Sequence, residues 1–116
     1  MHQPNFFAKE DKEHTVAAEQ IVVRALGDFQ ARGKVLAGRE LPLVRLRGAL
    51  RRAAEAFDVE EMTDEQAATT LIALGANVRQ VPSFVAKHPY RVTVQTELAE
   101  RGLIAYRESL SHAAPQ

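Results

Sequence analysis

Apolar side chains recur at helical spacing over three stretches of the chain. The first covers roughly residues 13–33, where Ala18, Ile21, Val22, Ala25, Leu26 and Phe29 form one stripe and Gly33 is placed to stop the helix. Val16 and Val23 sit seven residues apart and off that stripe. A second apolar strip means either deeper burial or a face for self-association, so both valines are candidate contacts between copies. Residues 34–41 read as a connector. Pro42 fits the first turn of a second helix, where its missing N–H costs nothing. That helix reaches about Phe57, with Leu43, Leu46, Leu50, Ala53, Ala54 and Phe57 as its buried face. The third begins at Thr63-Asp64-Glu65-Gln66, a capping box whose acids also suit the positive end of the helix dipole. Ala67, Ala68, Leu71, Ile72 and Leu74 follow, and Gly75 ends it.

After Gly75 the period changes. Residues 76–89 contain two prolines and no clean repeat, so they are loop or short strand. Tyr90, Val92 and Val94 then alternate with Arg91, Thr93 and Gln95, the signature of a half-buried strand. Thr96 can cap a short helix that Gly102 would stop. Residues 103–108, LIAYRE, either alternate as a second strand or continue the helix to about 111. Periodicity does not choose between them. As a strand, Leu103–Tyr106 would pair with Tyr90–Gln95. The fold class is α+β and α-rich: three helices, then a small antiparallel sheet or helix tail. Residues 1–10 read as a flexible N-terminal arm and 11–113 as a single globular domain.

Composition narrows the function classes. At 116 residues, 46% apolar and 26% charged, the chain is one ordinary globular domain with a modest core. No apolar run approaches the roughly 20 residues of a membrane-spanning helix, and the start lacks a secretory leader. There are no cysteines, hence no disulfides, thiolate metal sites or thiol catalysis. The expectation is a cytoplasmic protein away from the membrane. The six glycines are scattered and make no phosphate-binding loop, and no HExxH or GxSxG motif is present. Glu10 and His14 could share a helix face, but two ligands are too few for a metal. No cofactor or metal is expected. A site joining His88 and Tyr90 to one of the acids at 55–65 would be needed for catalysis, and folding alone decides whether they meet.

Charge is segregated although it sums to zero. Residues 40–53 hold four arginines and one glutamate, residues 54–66 six acids and no base. Arg45, Arg47, Arg51 and Arg52 spread over the polar half of the second helix. They either track phosphates or bridge to the acids just downstream, and the short separation favours bridging. A second group, Arg79, Phe84, Lys87, His88, Tyr90 and Arg91, interleaves cations and rings in a proline-containing segment. Guanidinium groups pair with phosphate and rings stack on bases, so this segment is the leading candidate for ligand binding.

The string ELAERGLIAYRES, preceded by TDEQAATTLIALG, resembles in outline the recognition helix and wing of winged helix-turn-helix proteins. That resemblance implies a helix in the major groove and a hairpin on phosphate. The chain departs from the pattern in two ways. Residues 76–92 would make a connection of about 17 residues where three or four are usual. Thr93, Gln95, Glu97 and Glu100 also suit a polyanion poorly. The reading is therefore a small non-enzymatic binding module, with nucleic acid as the leading ligand. The alternative is a homo-oligomeric interaction or structural protein with no nucleic-acid ligand.

Overall fold

Helix–helix packing and a central strand together determine the architecture seen in the computed structural model. It describes residues 18–82, 84 and 89–113, the side chains of 112 and 113 excepted. The N-terminal arm and Val16 lie outside the described residues. Helix α1 occupies residues 18–31 of these. Then come β1 (Glu40–Pro42), a 3-10 turn (Leu43–Leu46), α2 (Arg47–Phe57), α3 (Asp64–Ala73), β2 (Asn77–Gln80), β3 (Tyr90–Thr93) and α4 (Thr96–Ala113). The sheet order is β1-β3-β2, antiparallel throughout. This is the α-rich α+β class expected from the sequence.

The local signals decide the helix starts. Thr63 accepts from the Gln66 amide at 3.1 Å while the Gln66 side chain accepts from the Thr63 amide at 2.8 Å, closing the capping box. Gly33 and Gly75 take positive φ just past α1 and α3, as helix stops do. The core gathers Val22 and Leu26 of α1, Leu46 and Leu50 around the start of α2, Leu71 of α3 and Val92 of β3, all almost fully buried.

Several expectations are corrected. Pro42 is not in a helix; it ends β1 and precedes the 3-10 turn. An edge strand tolerates it because its missing N–H is not needed there. The sheet therefore begins inside the connector, before the second helix. Phe57 is 41% exposed, because the last turn of α2 runs past the core before Asp58 turns the chain with φ 59°. Ile72 is 57% exposed, a quarter-turn from buried Leu71. Residues 103–111 are helix. Leu103–Tyr106 cannot pair with β3, because β1 and β2 already occupy both of its edges.

Gly102 does not stop a helix; it lets one cross another. A Cβ on Gly102 would come within 2.9 Å of both the Leu26 Cβ and the Val23 carbonyl oxygen. A Cβ on Gly27 would overlap the Gly102 carbonyl and the Tyr106 Cβ. The backbones of α1 and α4 thus touch at this pair. The Gln30 amide nitrogen spans the same junction and donates to the Ala99 carbonyl at 2.7 Å.

The winged-helix reading of ELAERGLIAYRES, a recognition helix followed by a wing strand, is corrected, because the whole string lies in one helix. TELAERG is the start of the long α4, not a recognition helix. The pair that precedes a hairpin is α2–α3, joined by residues 58–63, with β2–β3 as the hairpin.

Gly27→Ala and Gly102→Ala should each lower stability by about 1–3 kcal/mol through overpacking at the crossing. Gly48→Ala is the control, since its Cβ would meet only the end of the Arg52 side chain at 3.4 Å. There the helix-propensity gain of about 0.5–1 kcal/mol should raise stability. Urea midpoints of the three variants check both signs.

Candidate functional site

The hairpin and the α2–α3 corner hold most of the side chains singled out from sequence. The register puts Arg79 directly opposite Arg91, and Gln80 opposite Tyr90. Leu41, Val92 and Val78 form the row beneath, on the core side of the sheet. Arg79 and Arg91 therefore share the outer face with Glu40. Arg79 Nε donates to Glu40 Oε2 at 2.7 Å and Nη2 to Oε1 at 3.0 Å, a two-pronged pair that passes over the central strand. The hydrogen bonds from Arg79 hold the Glu40 carboxyl below its ordinary pKa, and Arg91 adds to the effect. Arg91 also donates to the Tyr90 carbonyl at 3.4 Å. Tyr90 is half-buried and packs against the core, so its ring is partly structural. Phe84 is 89% exposed. Lys87 and His88 lie outside the described residues.

The arginines of α2 are largely committed within the chain. Arg47 pairs with Glu61 at 2.7 Å and Asp64 at 2.8 Å, and also donates to the Met62 carbonyl at 3.1 Å. It clamps the 58–63 connection onto α2. Arg51 stands 3.6 Å from Glu61. These are the downstream bridges expected from the charge run. Arg52 goes elsewhere, to Asp28 of α1, with both carboxylate oxygens engaged at 2.7–3.2 Å. Arg45, at the end of the 3-10 turn, is exposed and makes no ion pair with a described residue.

Asp28 was not picked out from sequence. It is buried, and Arg32, one turn along α1, also donates to it at 2.9 Å. Burial disfavours its charge, but hydrogen bonds and fields from Arg52 and Arg32 outweigh that and hold the carboxyl below its ordinary pKa. The i, i+4 spacing to Arg32 was readable; the reach to Arg52 was not. Val23 is only 5% exposed, and its carbonyl oxygen lies at the α1–α4 crossing.

Two concave regions border α3. The smaller, of about 290 Å³, lies between α3 and the hairpin and is lined by Glu65, Thr69, Ile72, Arg79 and Tyr90 among others. It brings Tyr90 to the same notch as an acid from the 55–65 run. The larger, of about 760 Å³, is bounded by Ala18, Glu19 and Ile21 of α1, residues 58–62, and Glu65, Gln66, Thr69, Thr70 and Ala73 of α3. Sequence reading missed it. Its trace was Val59 and Met62, two apolar positions inside the acidic run. Among the described residues no group of three or more His, Cys, Asp or Glu is placed to hold a metal ion, and no helix is long and apolar enough to cross a membrane. No protein-family model, curated protein or solved structure matches the chain.

Asp28→Asn should cost about 1.5–3 kcal/mol, nearer the lower value because Arg52 and Arg32 are partly solvated. The pH dependence has a definite sign. A lowered native pKa contributes stability that is complete above the unfolded value, about pH 4, and is lost as pH falls through the native value. Wild type should therefore lose stability more steeply than Asp28→Asn below about pH 4. Thermal melts from pH 6 down to 2.5 read the two slopes; parallel curves would remove Asp28 from this role.

Proposed function

We propose that the chain is a small non-enzymatic binding module that meets nucleic acid with the β2–β3 hairpin and the outward edge of α3. The supporting observation is the Arg79/Arg91 pair, set face to face on the outer side of the sheet. Like charges directly across an antiparallel pair repel. Glu40 offsets part of that repulsion. A phosphate backbone laid on this face supplies more negative charge, and guanidinium groups take phosphate in two-pronged geometry. Lys87 and His88 lie between Gln80 and Tyr90 in the sequence, outside the described residues, and are part of the same proposal by sequence position alone. Gln66 and Thr69 are exposed polar positions on α3 and can hydrogen-bond to sugar, phosphate or base edges.

The order helix, strand, two helices, hairpin and helix is also used by winged helix-turn-helix domains, which is an analogy of element order alone. Charge limits the mode of binding. Glu65 is exposed in the first turn of α3 and opposes insertion of that end into a groove. Binding is then led by phosphate contacts from the hairpin, with weak sequence preference and strong salt dependence. The same reading places the chain in the cytoplasm.

The homo-oligomeric reading draws on different residues. Ile104 and Leu110 of α4 are 56% and 47% exposed, and Val23 is not available to serve such a face. On this reading Val16, outside the described residues, and the exposed side chains of α4 are the candidate contacts between copies.

Fluorescence anisotropy of a labelled mixed-sequence duplex, at 50 and 200 mM salt, tests the proposal. Wild type should bind at low salt. Arg79→Ala with Arg91→Ala should flatten the slope of log K against log salt by about 1.8, or about 0.9 for each phosphate left without its guanidinium. No binding by wild type, or an unchanged slope in the double variant with its fold intact, would overturn it. Light scattering on the same samples that shows a dimer indifferent to duplex supports the α4 reading instead.

A further inference from the structure

We infer that the groove between the start of α1, residues 58–62 and α3 is the docking site for a basic amphipathic helix of a partner protein. This goes beyond the nucleic-acid reading and rests on a separate concavity. The groove holds about 760 Å³, within the range of ligand clefts. Buried Ile21 and Met62, with Val59 at 45% exposure, give it an apolar lining. Five of the chain's fifteen acids also line it: Glu19, Asp58, Glu60, Glu61 and Glu65. No lysine, arginine or histidine does. Glu61 is paired with Arg47 and Arg51. The other four make no ion pair with a described residue. In a chain of zero net charge this is a local excess of one sign, and a cleft with apolar walls focuses its field.

Size, charge and polarity select the occupant. A compact cation does not suit the groove, because among the described residues no group of three or more His, Cys, Asp or Glu is placed to hold a metal ion. The acids come from α1, the α2–α3 connection and α3, so the cations that meet them must be spread along the occupant. A polyanion is repelled. An apolar lining within an acidic rim takes apolar side chains from one face and lysine or arginine from its flanks, the pattern of a basic amphipathic helix. The described helices of a second copy do not offer that pattern. Arg47, Arg51 and Arg52 of α2 already face carboxylates of their own chain. The exposed side of α4 around Ile104 carries Glu97, Glu100 and Glu108 beside Arg101 and Arg107, which would bring acid to acid.

The probe is a synthetic peptide of leucine and lysine with leucine at i, i+3, i+4 and i+7. Titrated into the isotope-labelled full chain, it should shift the backbone amides of Val59, Met62, Glu65 and Thr69 to saturation. A peptide of the same composition in strict alternation has no apolar helical face and should leave them in place. Glu60→Gln with Glu65→Gln should weaken binding about 2- to 30-fold, the effect of two exposed ion pairs. Val59→Ser should weaken it about 3- to 10-fold through lost apolar contact. All three positions are exposed, and the amide spectrum of each variant checks that the fold is kept. The inference is overturned if the groove amides stay in place at about 1 mM peptide, where even millimolar affinity would show. It is also overturned if the alternating peptide moves them equally, or if either folded variant binds as wild type does. Shifts that follow the concentration of the chain itself, without peptide, would make a second copy the occupant and overturn it too. No nucleic acid is present, so these outcomes are separate from the fate of the hairpin reading.

Discussion

Two glycines where α1 crosses α4 set the spacing on which the rest of the structure depends. Glycine inside a helix costs about 1 kcal/mol relative to alanine, so a facing pair carries a cost of about 2 kcal/mol before any packing. The return is contact between two backbones. With the helices this close, Val22 and Leu26 share one core cluster with Leu98 and Ala99, Gln30 reaches the Ala99 carbonyl, and Arg24 lies over the Tyr106 ring at 5.6 Å. Asp28 follows Gly27 directly and is held where Arg52 of α2 can reach it. One close crossing therefore fixes α4 on α1 and, through a single buried carboxylate, aligns α2 with both.

The sheet is organised by the same economy of partners. β3 is central, so both of its edges are used and neither remains for a further strand. Its core side contributes Val92, and Val94 just past its end continues the row, both fully buried. Its outer side must then carry whatever alternates with them, and alternation puts Arg91 opposite Arg79. The cationic face of the hairpin is thus a consequence of register. A slip of one residue would bury the arginines and expose the valines. Glu40 can bridge to Arg79 only because β1 lies on the far side of β3 at this register.

What was legible in the sequence was local. The capping box at Thr63, the stops at Gly33 and Gly75, and the alternation around Val92 each need only a few neighbouring residues. Arg47 and Arg51 were readable for the same reason, since their acids lie just downstream. Gly102 was not, because a helix-stopping glycine and a helix-crossing glycine look identical until the partner helix is in place. The Arg52–Asp28 pair spans 24 residues and two elements. β1 was hidden because Pro42 fits a helix start and an edge-strand end equally well. The large groove left only Val59 and Met62 as its sign, because its other walls come from the start of α1 and from α3.

These placements change the meaning of a neutral net charge. The arginines of α2 looked like the strongest phosphate-tracking surface, yet Arg47, Arg51 and Arg52 all face carboxylates of the same chain. Their work is to hold the α2–α3 corner and the α1–α2 seam. To recruit them, a polyanion would have to displace partners that are already at hydrogen-bonding distance, one of them a buried carboxylate whose own desolvation would then be uncompensated. Arg79 of the hairpin differs. It stands on the outer sheet face, its partner carboxylate is solvent-exposed, and exchange of Glu40 for a phosphate leaves no charge buried. The same residue type thus serves structure on α2 and is available for recognition on the sheet. For Arg52 the distinction lies in the burial of its partner Asp28 rather than in the arginine itself.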